Sequence, residues 1–199
     1  MSAPQDTVDR RPGRPRDAGA DEAIMLASVE VLAEKGPAGF TVDAVAARAG
    51  CGKATIYRRW PSRANLLLDT AHRMGLEPAL VDTGSLRDDL VQIMTQLGTK
   101  LRDTAAGRIL PGVIAEAAVN PEMREVLGRF IRDRRSRPRE AVQRGVDRGE
   151  LPPDTDVELL LDVLGGTVFY REMVSGEPAD EPFVERLVDR LLASFGAAS

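Results

Sequence analysis

The chain has one cysteine, Cys51, and one histidine, His72, in 199 residues. An intramolecular disulfide is therefore impossible, and a His/Cys zinc site has too few ligands. No apolar run approaches the roughly 18 residues of a membrane span. The N-terminal stretch, with Asp6, Asp9 and four arginines before Gly19, lacks the apolar centre of a secretory signal. These absences predict a cytoplasmic protein with no membrane partner, no metal and no cofactor. Aromatic residues are scarce at 4%, yet 43% of the chain is apolar and 29% charged, the composition of a folded globular protein of one or two domains. No segment shows the alternation or the Val/Ile/Thr/aromatic runs of a strand, whereas apolar residues recur at spacings of three and four, so the fold class is all-α.

The 27 basic and 31 acidic residues leave a net charge of −4, unevenly spread. Residues 1–75 hold 11 basic and 9 acidic side chains, while residues 76–199 hold 16 and 22. No acid falls between Asp43 and Asp69, yet Arg48, Lys53, Arg58, Arg59 and Arg63 do. A second cluster, Arg10, Arg11, Arg14 and Arg16, sits in a Pro/Gly-punctuated arm that disfavours helix. Two basic patches on an acidic chain point to a confined polyanion contact, with a plain solvated face as the alternative.

Helix signals divide the chain. Ile24, Ala27, Ser28, Val31 and Leu32 form one stripe, with Asp21 as a cap and Lys35-Gly36-Pro37 as a stop. Thr41 reads as the N-cap of a short helix with Val42, Val45, Ala46 and Ala49 inward and Gly50 as its end. A third helix from Lys53 to Trp60 turns Ile56 and Trp60 to one side, and Pro61-Ser62 starts a fourth through Leu66, Leu67 and Thr70. Further stripes predict helices over Leu86–Leu101 and over Ile109–Ala118, the latter started late or kinked by Pro111. Another starts at Asn120-Pro121 and runs towards Gly149, kinked or split at Pro138. Two more are expected, from Asp154 or Asp156 to about Val174 and through Val184–Phe195.

The second helix, its glycine turn and the third helix have helix-turn-helix spacing. The third leaves Lys53, Thr55, Tyr57, Arg58 and Arg59 outward, hydrogen bonders for base edges and cations or hydroxyls for phosphates. The stretch Ile24–Leu68 carries Glu34-Lys35-Gly36, Phe40-Thr41-Val42, Val45-Ala46, Ala49-Gly50, Lys53-Ala54-Thr55-Ile56-Tyr57-Arg58-Arg59-Trp60 and Pro61-Ser62-Arg63. It resembles the DNA-binding domain of the TetR family of bacterial transcriptional regulators. The resemblance implies a homodimer with a three-helix N-terminal DNA-binding domain and a C-terminal domain of about six helices that takes a small-molecule effector. It also implies that Lys53 and Tyr57 touch phosphates, that Thr55 and Arg58 face the groove, and that Thr41 caps the supporting helix. Two positions depart from the pattern: Gly52 stands where a capping Ser is common, and Asn65 where the Glu of a capping box is usual.

The domain reading is a basic arm over 1–19, a helix-turn-helix domain over 20–75 and an effector-binding and dimerisation domain over 76–199. The arm from Arg10 to Arg16, Arg14 and Arg16 above all, resembles the core of an AT-hook suited to a narrow minor groove, or else is a tail adding nonspecific affinity. The run Arg129–Arg139 reads as a solvated face, or as a site for an acidic effector or a second nucleic-acid segment. The turn at Gly50-Cys51-Gly52-Lys53 lacks the glycine and hydroxyl positions of a phosphate loop, and Cys51 reads as a packed small residue. Effector-pocket candidates are Met94, Leu97, Leu101, Ile114, Met123, Phe130, Phe169 and Tyr170, with Arg171 as polar anchor. The helix over 157–174 is apolar almost all round, which implies burial on two sides; Leu160, Leu164, Gly165 and Val168 with Val184, Leu187, Val188 and Leu191 are the expected dimer interface. The function expected is a ligand-responsive regulator, a repressor on a palindromic double-stranded operator. The alternatives are a constitutive DNA-binding protein without effector and an enzyme on a helical scaffold, for which no catalytic grouping is present.

Overall fold

The computed structural model describes residues 18–74 and 81–196; the arm with Arg14 and Arg16 lies outside them. Among the described residues there are ten α-helices and no strand. Their order is α1(Ala18–Gly39), α2(Val42–Ala49), α3(Lys53–Tyr57), α4(Arg63–Arg73), α5(Leu86–Asp103), α6(Ala105–Val119), α7(Pro121–Arg134), α8(Ser136–Asp147), α9(Val157–Tyr170) and α10(Glu181–Ser194). No described helix is long and apolar enough to cross a membrane.

Local chemistry sets most of these boundaries. α1 breaks at Gly36, whose φ of 64° lies in the left-handed region that favours glycine, and Pro37 follows. Thr41, Ser62, Ser85, Thr104, Asn120, Asp156 and Asp180 each cap the helix that follows them by accepting a backbone N–H. The Thr104 cap starts α6 at Ala105, ahead of the Ile109 start the stripe suggests, and Pro111 is carried inside the helix. The expected long helix ending near Gly149 is split at Arg135 into α7 and α8, with Pro138 in the first turn of α8, where a missing N–H costs little. α9 ends at Tyr170, and residues Arg171–Ser175 form a π-helical turn closed by Gly176 at φ 70°.

The helices share two buried cores, and these do not divide at residue 75. The first joins Ile24, Leu32, Phe40, Val45, Ile56, Trp60 and Leu67 of α1 to α4 with Ile109 and Val113 of α6 and Met123 and Leu127 of α7. The second joins α5, α8, α9 and α10 through Leu90, Val142, Leu160, Leu164, Val184 and Val188. Thus α6 and α7 belong by packing to the N-terminal unit. The joint between α5 and α6 is fixed by Gly107: a Cβ there would lie 2.0 Å from the Leu101 carbonyl oxygen, so only glycine fits.

The second core contains a fully buried carboxylate. Asp89 accepts from the Thr83 N–H at 2.7 Å and hydroxyl at 2.8 Å and pairs with Arg144 at 3.1 Å. Burial raises the Asp89 pKa, but the Thr83 donors and the Arg144 guanidinium outweigh it and hold the group below its ordinary value. A depressed folded-state pKa stabilises above the unfolded value near 3.9, and that contribution disappears as pH falls through the folded pKa. Arg144→Met, which strands the buried charge, is expected to lower stability in urea by about 3–5 kcal/mol at pH 7. The deficit should narrow at pH 3 as Asp89 takes up a proton, and an equal deficit at both pH values would contradict this account.

Candidate DNA-binding face and domain cavity

α2 and α3 are held at a fixed angle by apolar and polar contacts together. Gly50 ends α2 in the left-handed conformation at φ 66° and returns its N–H to the Ala46 carbonyl. Gly52 precedes α3 in extended conformation without a side-chain cap, as the substitution of glycine for a capping Ser predicts. Ile56 and Trp60 are buried under α3. The Trp60 indole Nε1–H donates to Asp69 Oδ2 at 2.8 Å, which ties the end of α3 to α4.

This leaves Lys53, Tyr57, Arg58 and Arg59 exposed along one surface, with Thr55 half-buried beside them; Tyr57 keeps 48% of its surface in solvent. Lys53 Nζ lies 2.6 Å from Asp43 Oδ1 on α2, and that hydrogen-bonded pair raises the ammonium pKa, so the group is fully charged near neutrality. Arg59 Nε is 3.5 Å from Asp21 of α1. The structure brings together all of the expected contact residues of this motif except those of the arm. Thr41 lies at its base, where its Oγ1 accepts from the Ala44 N–H at 3.1 Å.

Two residues of the basic patch are directed elsewhere. Arg48 is forked onto Glu30 and Glu34 of α1, at 2.8 Å and 2.7 Å; the hydrogen bond to Glu34 raises the guanidinium pKa and holds the Glu34 carboxyl below its ordinary value. Arg63, at the start of α4, turns inward. Its Nε donates to the Phe40 carbonyl at 2.5 Å, its Nη2 to the Pro37 carbonyl, and its Nη1 to Glu116 Oε1 of α6 at 2.5 Å. Partners 53 residues apart leave no periodic or motif signal, so only the folded chain reveals this junction.

A cavity of about 500 Å³ lies among α5, α6, α7, α8 and α9. Of the pocket candidates, Met94, Leu97, Leu101, Ile114, Phe130 and Phe169 line it. Three do not. Met123 is fully buried in the first core, because the face of α7 that carries it packs towards α4. Tyr170 is 58% exposed on the outer side of α9. Arg171 lies in the π-helical turn, with its guanidinium 4.0 Å from the centre of the Phe183 ring and its Nε donating to the Pro178 carbonyl. Gly165, an expected interface residue, faces the cavity instead, as do Leu110, Leu127 and Gly166.

Five of the remaining expected interface residues also need correction, whereas Leu187 and Leu191 stay half-exposed. Leu160, Leu164, Val168, Val184 and Val188 are completely buried in the protomer's own second core, and Leu187 and Leu191 pack against it. α9 is apolar on nearly every face, so its period alone does not say which stripe turns inward. On α9 and just beyond it, the large apolar side chains left in solvent are Leu159, Tyr170 and Val174.

A short, outward basic helix set by a glycine turn on a bracing helix, carried on an all-helical body, defines a helix-turn-helix DNA-binding transcriptional regulator. Comparison with known proteins gives the same class: residues 24–70 match the family described as "Bacterial regulatory proteins, tetR family", and residues 80–191 match "Tetracyclin repressor-like, C-terminal domain". The chain is 33% identical over 178 residues to the uncharacterized HTH-type transcriptional regulator YdeS of Bacillus subtilis, covering 88% of this chain and 89% of that protein. It is 34% identical over 174 residues to the DNA-binding transcriptional repressor TetR of Mycobacteroides abscessus, covering 85% and 90%. The crystal structure of the TetR family transcription regulator SCO0332 superposes with a TM-score of 0.74 at 31% identity, covering 90% of this chain and 99% of that one. The chain belongs to the TetR family, whose members are regulators of transcription and not enzymes.

Loss of the α2 cap tests whether the motif depends on it: Thr41→Ala is expected to cost about 1 kcal/mol in thermal or urea unfolding. Thr41→Ser, which keeps the oxygen, should stay within about 0.5 kcal/mol of the parent. Equal losses in the two would assign the effect to packing of the Thr41 methyl.

Proposed function

We propose that the protein is a ligand-responsive repressor that binds a palindromic operator as a homodimer and is released by a small molecule held in the cavity. The observation that carries the reading is the double role of α6. Its residues Leu110 and Ile114 line the cavity, while Glu116, on the other side of the helix, holds Arg63. Arg63 in turn grips the Pro37 and Phe40 carbonyls immediately before the Thr41 cap. A molecule that displaces α6 therefore acts on the chain that sets the angle of α2 and α3. Only a ligand with different affinity for the two arrangements shifts their populations, and DNA must weaken that ligand by the same factor.

In this reading Lys53 and Tyr57 contact phosphates, Arg59 adds a phosphate contact, and Thr55 and Arg58 address base edges in the major groove. Lys53 must exchange Asp43 for a phosphate oxygen as it docks. The outer face of α9, with Leu159 and Tyr170 on one stripe, is the surface offered to a second copy, since those apolar groups remain uncovered in the protomer. A two-fold pair built there would set two α3 helices in successive major grooves, about 34–36 Å apart.

Titration of an operator fragment from the chain's own upstream region tests these assignments. Lys53→Ala should weaken every DNA and reduce the slope of log K against log salt by about 0.9, the share of one phosphate. Arg58→Ala should cost about 1–3 kcal/mol at one base position and relax preference there; uniform loss across sequences would remove it from base readout. For the link to α6, a compound is used that raises the melting temperature of the parent but not of a Gly165→Leu variant whose cavity is filled. Glu116→Gln should keep operator binding and lose most of the coupling of about 1–3 kcal/mol between that compound and DNA. A Glu116→Gln protein released as readily as the parent would rule out the route through Arg63.

A further inference from the structure

The outward cations of the DNA-binding face fall into two groups. Lys53 and Arg59, which the proposed function assigns to phosphates, each face a carboxylate carried by another helix. Lys53 Nζ lies 2.6 Å from Asp43 Oδ1 of α2, and Arg59 Nε lies 3.5 Å from Asp21 Oδ2 of α1. Arg58, assigned to base edges, has no acidic partner among the described residues. All four paired side chains are open to solvent, on the same surface that DNA would meet. No acid occurs between Asp43 and Asp69 in the chain, so both carboxylates reach this face from the bracing helices and not from α3.

We infer that Asp43, and to a lesser degree Asp21, set the strength of DNA binding: in the free protein their carboxylates occupy Lys53 and Arg59 in place of DNA phosphates. The inference rests on the reading of Lys53 and Arg59 as phosphate contacts. A cation that already holds an anion gains only the difference between two ion pairs when a phosphate replaces it. An ammonium has three donors and can keep Asp43 while it takes a phosphate oxygen, but carboxylate and phosphate then crowd one cation and repel. Either way the carboxylate costs affinity. Asp21 costs less, because its pair with Arg59 is the looser one. Phosphates carry no base identity, so the two acids weigh equally on every DNA and leave Arg58 unopposed for base reading. The rival account of Asp43 is local: a carboxylate in the first turn of α2 favours the positive end of that helix. That role would appear in folding stability and not in the strength of DNA binding.

The test is a double-mutant cycle on the full chain, read as dissociation constants at one fixed salt concentration. Two duplexes are used, the upstream fragment and a shuffled one of equal length and composition, so the outcome does not depend on knowing the operator. Asp43→Asn should tighten both by the same factor, about two- to fivefold, the worth of one exposed ion pair. Asp21→Asn should tighten both by less, and Asp43→Glu, which keeps the charge, should stay close to the parent. In a Lys53→Ala background Asp43→Asn should lose most of its effect, whereas in an Arg58→Ala background it should keep all of it. Circular dichroism melts confirm that each variant is folded. Three results overturn the inference while the phosphate contact of Lys53 stands: no tightening by Asp43→Asn, equal tightening by Asp43→Glu, or tightening undiminished without Lys53, which would assign it to repulsion at a distance. If Lys53→Ala alone binds both duplexes as tightly as the parent, Lys53 leaves the DNA face and both readings fall.

Discussion

The guanidinium of Arg63 ties the turn before α2 to α6 and so joins the two halves of the molecule. A planar fork with fixed donors suits this task better than a flexible ammonium, because its hydrogen bonds to two carbonyls and a carboxylate must be satisfied in one geometry. The Pro37 and Phe40 carbonyls belong to the turn between α1 and α2, where the break at Gly36 leaves backbone acceptors that no helix satisfies. Arg63 satisfies them from α4 and spends its remaining edge on Glu116. A structural demand of one turn has thus become a bridge to α6.

Packing reinforces that bridge. Ile109, Val113, Met123 and Leu127 complete the core under α1 and α4, so the DNA-binding helices share one apolar core with α6 and α7. The cavity lies between these two helices and the second core, at the seam where the two buried clusters face one another. Protein interiors switch between discrete packings more readily than they deform smoothly, so a seam of this kind suits a two-state response. The Trp60–Asp69 hydrogen bond and the pairs of Arg48 with Glu30 and Glu34 add polar ties within the N-terminal unit.

Much of this was legible in the chain itself, and the reasons are local. Caps at Thr41, Ser62 and Asn120 and the glycine at 50 act within four residues, so their consequences appear in any short window of sequence. The Ile56 and Trp60 spacing likewise fixes which side of α3 is inward. What escaped is set by partners far along the chain. Arg48 and Arg63 read as members of a basic patch, although the fold turns both onto internal acceptors. Leu160, Leu164 and Val168 read as interface, although α9 uses that stripe for its own core; a helix apolar all round carries no marker of direction. Tyr170 falls on the outer side of α9, and Arg171 lies in the π-helical turn just beyond it. Asn65 shows the reverse case: lacking the Glu of a capping box, it nonetheless gives its Nδ2 to Ser62 Oγ at 2.9 Å, a substitute closure of the same turn.

Gly165 and Gly166 border the cavity, and a β-carbon built on either meets no atom within 4 Å. Most wall positions of a packed domain are locked by the neighbours they touch; these two are not. The chamber is therefore adjustable from one place, since a methyl or a branched side chain at either glycine subtracts volume without disturbing the buried stripe of α9. Divergence in what the chamber admits needs only single-codon steps at this ledge, while the scaffold and its bridge to the reading head stay as they are.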